Sequence, residues 1–161
     1  MTDNFRWQGW SAGLALMSVP LALATLPPFV DGAWHIMLMQ AFAPICHQIA
    51  ERSFHVDGVA LAVCHRCYGI YWGLFAGLAL YLMVRRWGWK LWAYSRPLLL
   101  LALVPIGVDW TLDFAGLWHN TPLSRMSSGS VFGLAAGLLV AQAFASIGFG
   151  PLRSTQARNS H

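Results

Sequence analysis

Three long stretches of the chain, residues 7–30, 68–84 and 126–152, carry no charged residue at all. At 1.5 Å per helical residue each can cross a hydrocarbon core of about 30 Å, the second only just. A fourth stretch, residues 97–118, is equally apolar except for Asp109 and Asp113 near its far end, which predicts a helix whose end emerges from the bilayer. Runs of this length argue against a soluble domain with buried core helices. The pattern predicts an all-α, polytopic membrane protein. Four transmembrane helices are expected at residues 7–30, 68–86, 97–118 and 127–148, in a single domain over residues 1–161. Pro20, Pro27 and Pro28 interrupt the first stretch and no clear small-residue cleavage site follows, so it reads as a retained helix and not a signal peptide.

The few charges set an orientation. Only 10% of residues are charged against 57% hydrophobic, and the loop between the second and third stretches holds Arg85, Arg86, Lys90 and Arg96. A basic loop stays on the cytoplasmic side, which puts both termini there too, with Arg6, Arg153 and Arg158. Residues 31–67 then form an enlarged first outer loop, and residues 109–125 the second outer piece, with Arg52, Arg66 and Arg125 as their basic residues. The net charge of +4 is accounted for by this asymmetry, so no nucleic-acid partner is expected. The expected partner is the lipid bilayer, and the expected location is a prokaryotic plasma (inner) membrane. Trp7, Trp10, Trp87, Trp89, Trp92, Trp110 and Trp118 fall at span ends and read as interfacial anchors.

The second and fourth stretches share a glycine pattern. Gly69, Gly73 and Gly77 recur every four residues in one, and Gly129, Gly133 and Gly137 in the other, with aromatic, leucine and alanine positions coinciding. Residues four apart lie on one helical stripe, and missing side chains let two backbones approach closely. These two helices are expected to pack together centrally. With Pro20 and Pro105 at comparable places in the other two, the four spans read as two related hairpins.

The chemistry collects in the first outer loop. It holds Cys46-His47-Gln48, Arg52-Ser53-Phe54 and Cys64-His65-Arg66-Cys67, which together contain all three cysteines. A Cys-x-x-Cys pair brings two sulfurs within reach of one ion or of each other. Asp57-Gly58 between short apolar stretches predicts a hairpin-like turn that returns Cys64 towards Cys46. Metal coordination by Cys46, Cys64 and Cys67, with His47 or His65 as a fourth ligand, is one reading, and zinc is the ion such thiolates suit. Thiol redox chemistry at Cys64 and Cys67, with Cys46 as a resolving thiol and a quinone or thiol partner, is another. It gains from a resemblance to quinone-linked disulfide-oxidising membrane enzymes, although a second cysteine pair is missing here. A non-enzymatic membrane subunit or scaffold is a third. Asp109 and Asp113 share a helical face, and with Arg125 they are either catalytic candidates or an ion pair joining two helix ends. His35, with Trp34 and residues 37–39, sits on an apolar stretch expected to lie along the outer surface as a helix, and is not assigned as a ligand.

These residues resemble a family of prokaryotic integral membrane proteins of unknown function. The resemblance rests on Cys46-His47-Gln48, Arg52-Ser53-Phe54, Gly58, the run Cys64-x-Arg66-Cys67-x-Gly69-Ile70-Tyr71-x-Gly73, and the later Asp109, Asn120, Arg125 and Gly129. It implies that these positions act as one unit. His65 occupies a slot where the family pattern leads one to expect a small residue.

Overall fold

The computed structural model describes residues 6–85 and 94–146. Helix α1 (Trp7–Thr25) ends just before Pro27, whose ring disfavours a continuing helix, and a 3-10 turn follows at Pro27–Phe29. Then come α2 (Gly32–Phe42), a second 3-10 turn (Ala50–Arg52), strands β1 (Ser53–Val56) and β2 (Val59–Cys64), and the long helices α3 (His65–Val84), α4 (Ser95–Phe114) and α5 (Pro122–Ser146). Helix α2 occupies the apolar stretch around His35, and the His35 ring is anchored through Nδ1, 3.1 Å from the Pro27 carbonyl oxygen.

The fold is therefore mostly helical and not all-α, because β1 and β2 pair antiparallel as a small two-stranded sheet. The turn is the Asp57-Gly58 pair, both at positive φ (50° and 82°), the backbone state of a type I′ hairpin turn. Val56 faces Val59 and Ser53 faces Cys64, so the hairpin returns the chain to where it began. Three helical segments, His65–Val84, Pro97–Phe114 and Pro122–Ser146, are long and apolar enough to cross a membrane, each with a mean hydropathy of 1.6. Helix α1, at 19 residues, is not among the three. The basic residues Arg86 and Lys90, the tryptophans 87, 89 and 92, and the tail from residue 147 with Arg153 and Arg158 lie outside the described residues.

Helices α3 and α5 run parallel and touch backbone to backbone. A Cβ added at Gly69, Gly73 or Gly77 would meet the backbone of Met126, Ser130 and Leu134 in turn, and one at Gly129, Gly133 or Gly137 would meet Arg66, Ile70 and Leu74. Both glycine stripes thus face the same seam, where close approach gains dispersion contacts that lipid cannot replace. Helix α1 runs antiparallel to this pair. Gly13 fits against the Phe144 ring, and Trp10 Nε1 donates to the Leu78 carbonyl at 2.9 Å, so Trp10 is engaged inside the bundle. Trp7, Trp110 and Trp118 remain more than half exposed, as suits residues placed at an interface. Helix α4 packs chiefly on α5 and is the least enclosed of the three long apolar helices, with 6% of its apolar window buried against 39% for α5.

Helix directions decide what meets at each end. The starts of α3 and α5, the finish of α4 and the hairpin gather at one end, which also holds the cysteines. There a small core of Ala24, Phe42, Cys46, Ala62 and Val63 packs against Tyr68 and Tyr71.

Candidate functional site

Cys46 follows α2, Cys64 ends β2 as the N-cap of α3, and Cys67 lies one turn into that helix. The hairpin brings the first to the other two. The three Sγ atoms lie within 4.8 Å of one another, and all three thiols are free. The Cys64 N–H donates to Cys46 Sγ at 3.2 Å, so the sulfur takes up one of the amides that a helix start leaves without an intrahelical partner. Hydrogen bonding from the Cys46 thiol holds Cys64 well below the usual thiol range; Cys67 and the Cys67 and Arg66 backbone act in the same direction, and burial opposes them.

Gln48 keeps this arrangement in register. Its backbone sits at φ 49°, and its side-chain amide donates to the Met39 carbonyl at 2.7 Å and the Ala62 carbonyl at 2.8 Å, tying the end of α2 to β2. Ser53, buried at the base of the hairpin, donates to the Ile49 carbonyl at 3.0 Å. Gln48 and Ser53 read from the sequence only as parts of motifs; their role is to hold the loop that presents Cys46.

The histidines divide. His47 is exposed and lines the cavity beside the thiols. His65 is buried and turned to the hairpin, its ring edge-on to Phe54 with centroids 4.3 Å apart, and its Nδ1 has no partner. Neither joins the three sulfurs as a group close enough to share an ion.

Two ion pairs close the far wall. Arg125 pairs with Asp113 at 3.4 Å, the link expected between those helix ends, and Arg66 Nη2 donates to Asp109 Oδ2 in a second pair. Asn120 completes it. Its side-chain amide donates to the Asp109 carbonyl at 2.9 Å and the Asp109 carboxylate at 3.1 Å, and its N–H donates to Asp113 at 3.4 Å. The Arg66–Asp109 pair joins residues 43 positions apart, and the signal for it was the shared helical face of Asp109 and Asp113. Both arginines stand in the opening turn of a helix and both aspartates near the close of one. Each charge is thus misplaced for its own helix dipole and is compensated by a side chain of another helix, α3 and α5 each pairing with α4.

Between thiols and ion pairs lies a cavity of about 620 Å³. The three cysteines line it, as do Arg52, Arg66, Arg125 and Asp113, whereas Asp109 borders a separate groove between α4 and α5.

Long apolar helices, an exposed hydrophobic surface and a cavity lined by thiols, charged groups and apolar side chains at one end define a helical membrane protein with a built site at a helix-end cluster. The chain belongs to the family described as "Predicted membrane protein (DUF2085)", whose model matches residues 46–139. That interval opens on Cys46 and takes in the hairpin, both glycine stripes and both ion pairs. The chain is similar to uncharacterized protein MJ1492 of Methanocaldococcus jannaschii, 36% identical over 101 residues that cover 61% of this chain and 62% of that protein. It is also similar to an uncharacterized protein of Methanothermobacter thermautotrophicus, 30% identical over 103 residues that cover 64% of this chain and 90% of that one. No solved structure matches.

Proposed function

We propose that the protein is a four-span membrane protein whose Cys46, Cys64 and Cys67 hold one metal ion, zinc by ligand chemistry, with an open coordination position towards the cavity. The observation that carries this reading is the mutual approach of three free thiols within 4.8 Å. Zinc–sulfur bonds of about 2.3 Å in a tetrahedron put sulfurs about 3.8 Å apart, so a small adjustment suffices to bind. Three protein ligands and a vacant fourth position form the pattern of a reactive centre, whereas structural zinc sites are closed by four. Asp113 and Arg125 stand across the cavity, where they can orient a ligand or move a proton.

In the membrane, α1 completes the set as a fourth span, the helices form two related hairpins, and the site faces outwards from a prokaryotic plasma membrane with both termini in the cytoplasm. Helix α1 packs along both α3 and α5, which favours a common length across the bilayer.

Metal analysis of the protein purified in mild detergent tests the centre. We expect about one equivalent of metal, loss of it in Cys64→Ser, and thiols shielded from alkylation until a chelator is added. Metal-free wild type with freely alkylated thiols would overturn the reading. The mutual reach of the same three sulfurs also favours a second reading, a thiol oxidoreductase working through Cys64 and Cys67. In that case Cys67→Ser traps a mixed disulfide at Cys64, because the resolving thiol is gone.

A further inference from the structure

We propose that the cavity is a binding site for a phosphoryl group, held by Arg52, Arg66 and Arg125. The three arginines come from three separate elements, the 3-10 turn before β1 and the opening turns of α3 and α5, and line one cavity. Helix starts already favour an anion, and a cation placed there opposes its own helix dipole, so two arginines at two such starts concentrate positive potential.

The two aspartates do not exhaust these donors. Asp109 and Asp113 each take one Nη2 hydrogen bond, and the Nε atoms of Arg66 and Arg125 are buried without an acceptor. Arg52 is exposed and forms no ion pair among the described residues. With those Nε atoms closed off from the cavity, the donors left for a ligand there are the remaining terminal nitrogens of Arg66 and Arg125 and the whole of Arg52. A carboxylate ligand offers two oxygens in one plane, whereas a phosphoryl group offers three in a tetrahedral array, which suits guanidiniums mounted on three elements.

The cavity also has an apolar side. Ile45, Trp110 and Phe114 line it and are 63%, 56% and 80% exposed, so hydrocarbon can continue from a phosphate held inside. The shared chemistry is a phosphoryl group, carried by a lipid headgroup or present as free phosphate. The site shares its cavity with the metal centre and does not depend on it.

Equilibrium binding of radiolabelled inorganic phosphate to the full chain in detergent, with and without prior chelation, tests the proposal. Saturable binding is expected in both preparations, with no competition from acetate at equal ionic strength. Arg52→Gln should weaken binding about tenfold, the scale of one charged hydrogen bond. Its melting temperature without phosphate should stay unchanged, because Arg52 is exposed and unpaired. Competition by phosphatidic acid would assign the group to a lipid headgroup, and its failure to compete would assign it to a soluble phosphate. Absence of saturable binding, equal competition by acetate, or unchanged affinity in Arg52→Gln would overturn the proposal. Loss of binding on chelation would overturn it too, by transferring the anion to the metal, and this outcome is separate from a failure of the metal reading, which leaves phosphate binding intact.

Discussion

The α3–α5 seam and the cysteine end are held together by opposite means. Along the seam six glycines remove side chains so that two backbones touch, with no charge involved. At the cysteine end nearly every link is a specific side chain: Gln48 bridging α2 to β2, Arg66 on Asp109, Arg125 on Asp113, and Asn120 beneath both aspartates. The seam resists any added atom, whereas the end can lose one link and keep the others. A stiff axis thus carries a site whose far wall stands on the loosely enclosed α4 and is tied to α3 and α5 by the two ion pairs.

The contrast breaks most sharply at the seam. Gly133→Leu puts a side chain where the Ile70 and Gly73 backbones already lie, and relief requires separating two helices. A loss of about 3 kcal/mol or more is expected, at the upper end of overpacking costs, read as reduced yield and a lower melting temperature in detergent. A silent Gly133→Leu would mean that the seam is looser than its geometry and that the two regions do not differ as described.

A smaller effect is expected at the ion pairs. Asp109→Asn leaves Arg66 partly buried without its counter-charge, at a cost of about 2 kcal/mol, and Asp109→Asn with Arg66→Gln together should cost less than the sum of the two singles. A double-mutant cycle with strict additivity would remove the pair as a tether and leave α4 held by its packing on α5 and by the Asp113–Arg125 pair. The metal content expected in wild type should survive these changes, because none of the three thiols is on α4: Cys46 follows α2, Cys64 ends β2 and Cys67 is on α3.

The smallest effect is expected at the hairpin tip. Gly58 has φ 82° with nothing within 4 Å of an added Cβ, so Gly58→Ala costs backbone strain alone, about 1 kcal/mol. Thiol spacing should be retained. A large drop in metal content in this variant would show that the turn, and not Gln48, sets the position of Cys46.

Much of this molecule is a one-dimensional property of its chain. Uninterrupted apolar runs determine where long helices form, because a buried or lipid-facing backbone must satisfy its hydrogen bonds within itself. The spacing of Gly69, Gly73 and Gly77 and of Gly129, Gly133 and Gly137 determines that two helices offer smooth faces, since residues four apart share a stripe. Asp57-Gly58 determines a tight turn, and with it a return path for Cys64, because both positions tolerate positive φ. Pairings between distant residues were open until the chain was folded. Nothing local joins Arg66 to Asp109 across 43 positions, or separates buried His65, packed on Phe54, from exposed His47 beside the thiols. Only the parallel run of α3 and α5, with α4 antiparallel to them, brings two helix starts and one helix end together. The tertiary structure therefore decided that Arg66 compensates Asp109 and that three arginines and three thiols share one cavity. Electrostatic partners depend on distance through space, which sequence separation does not fix.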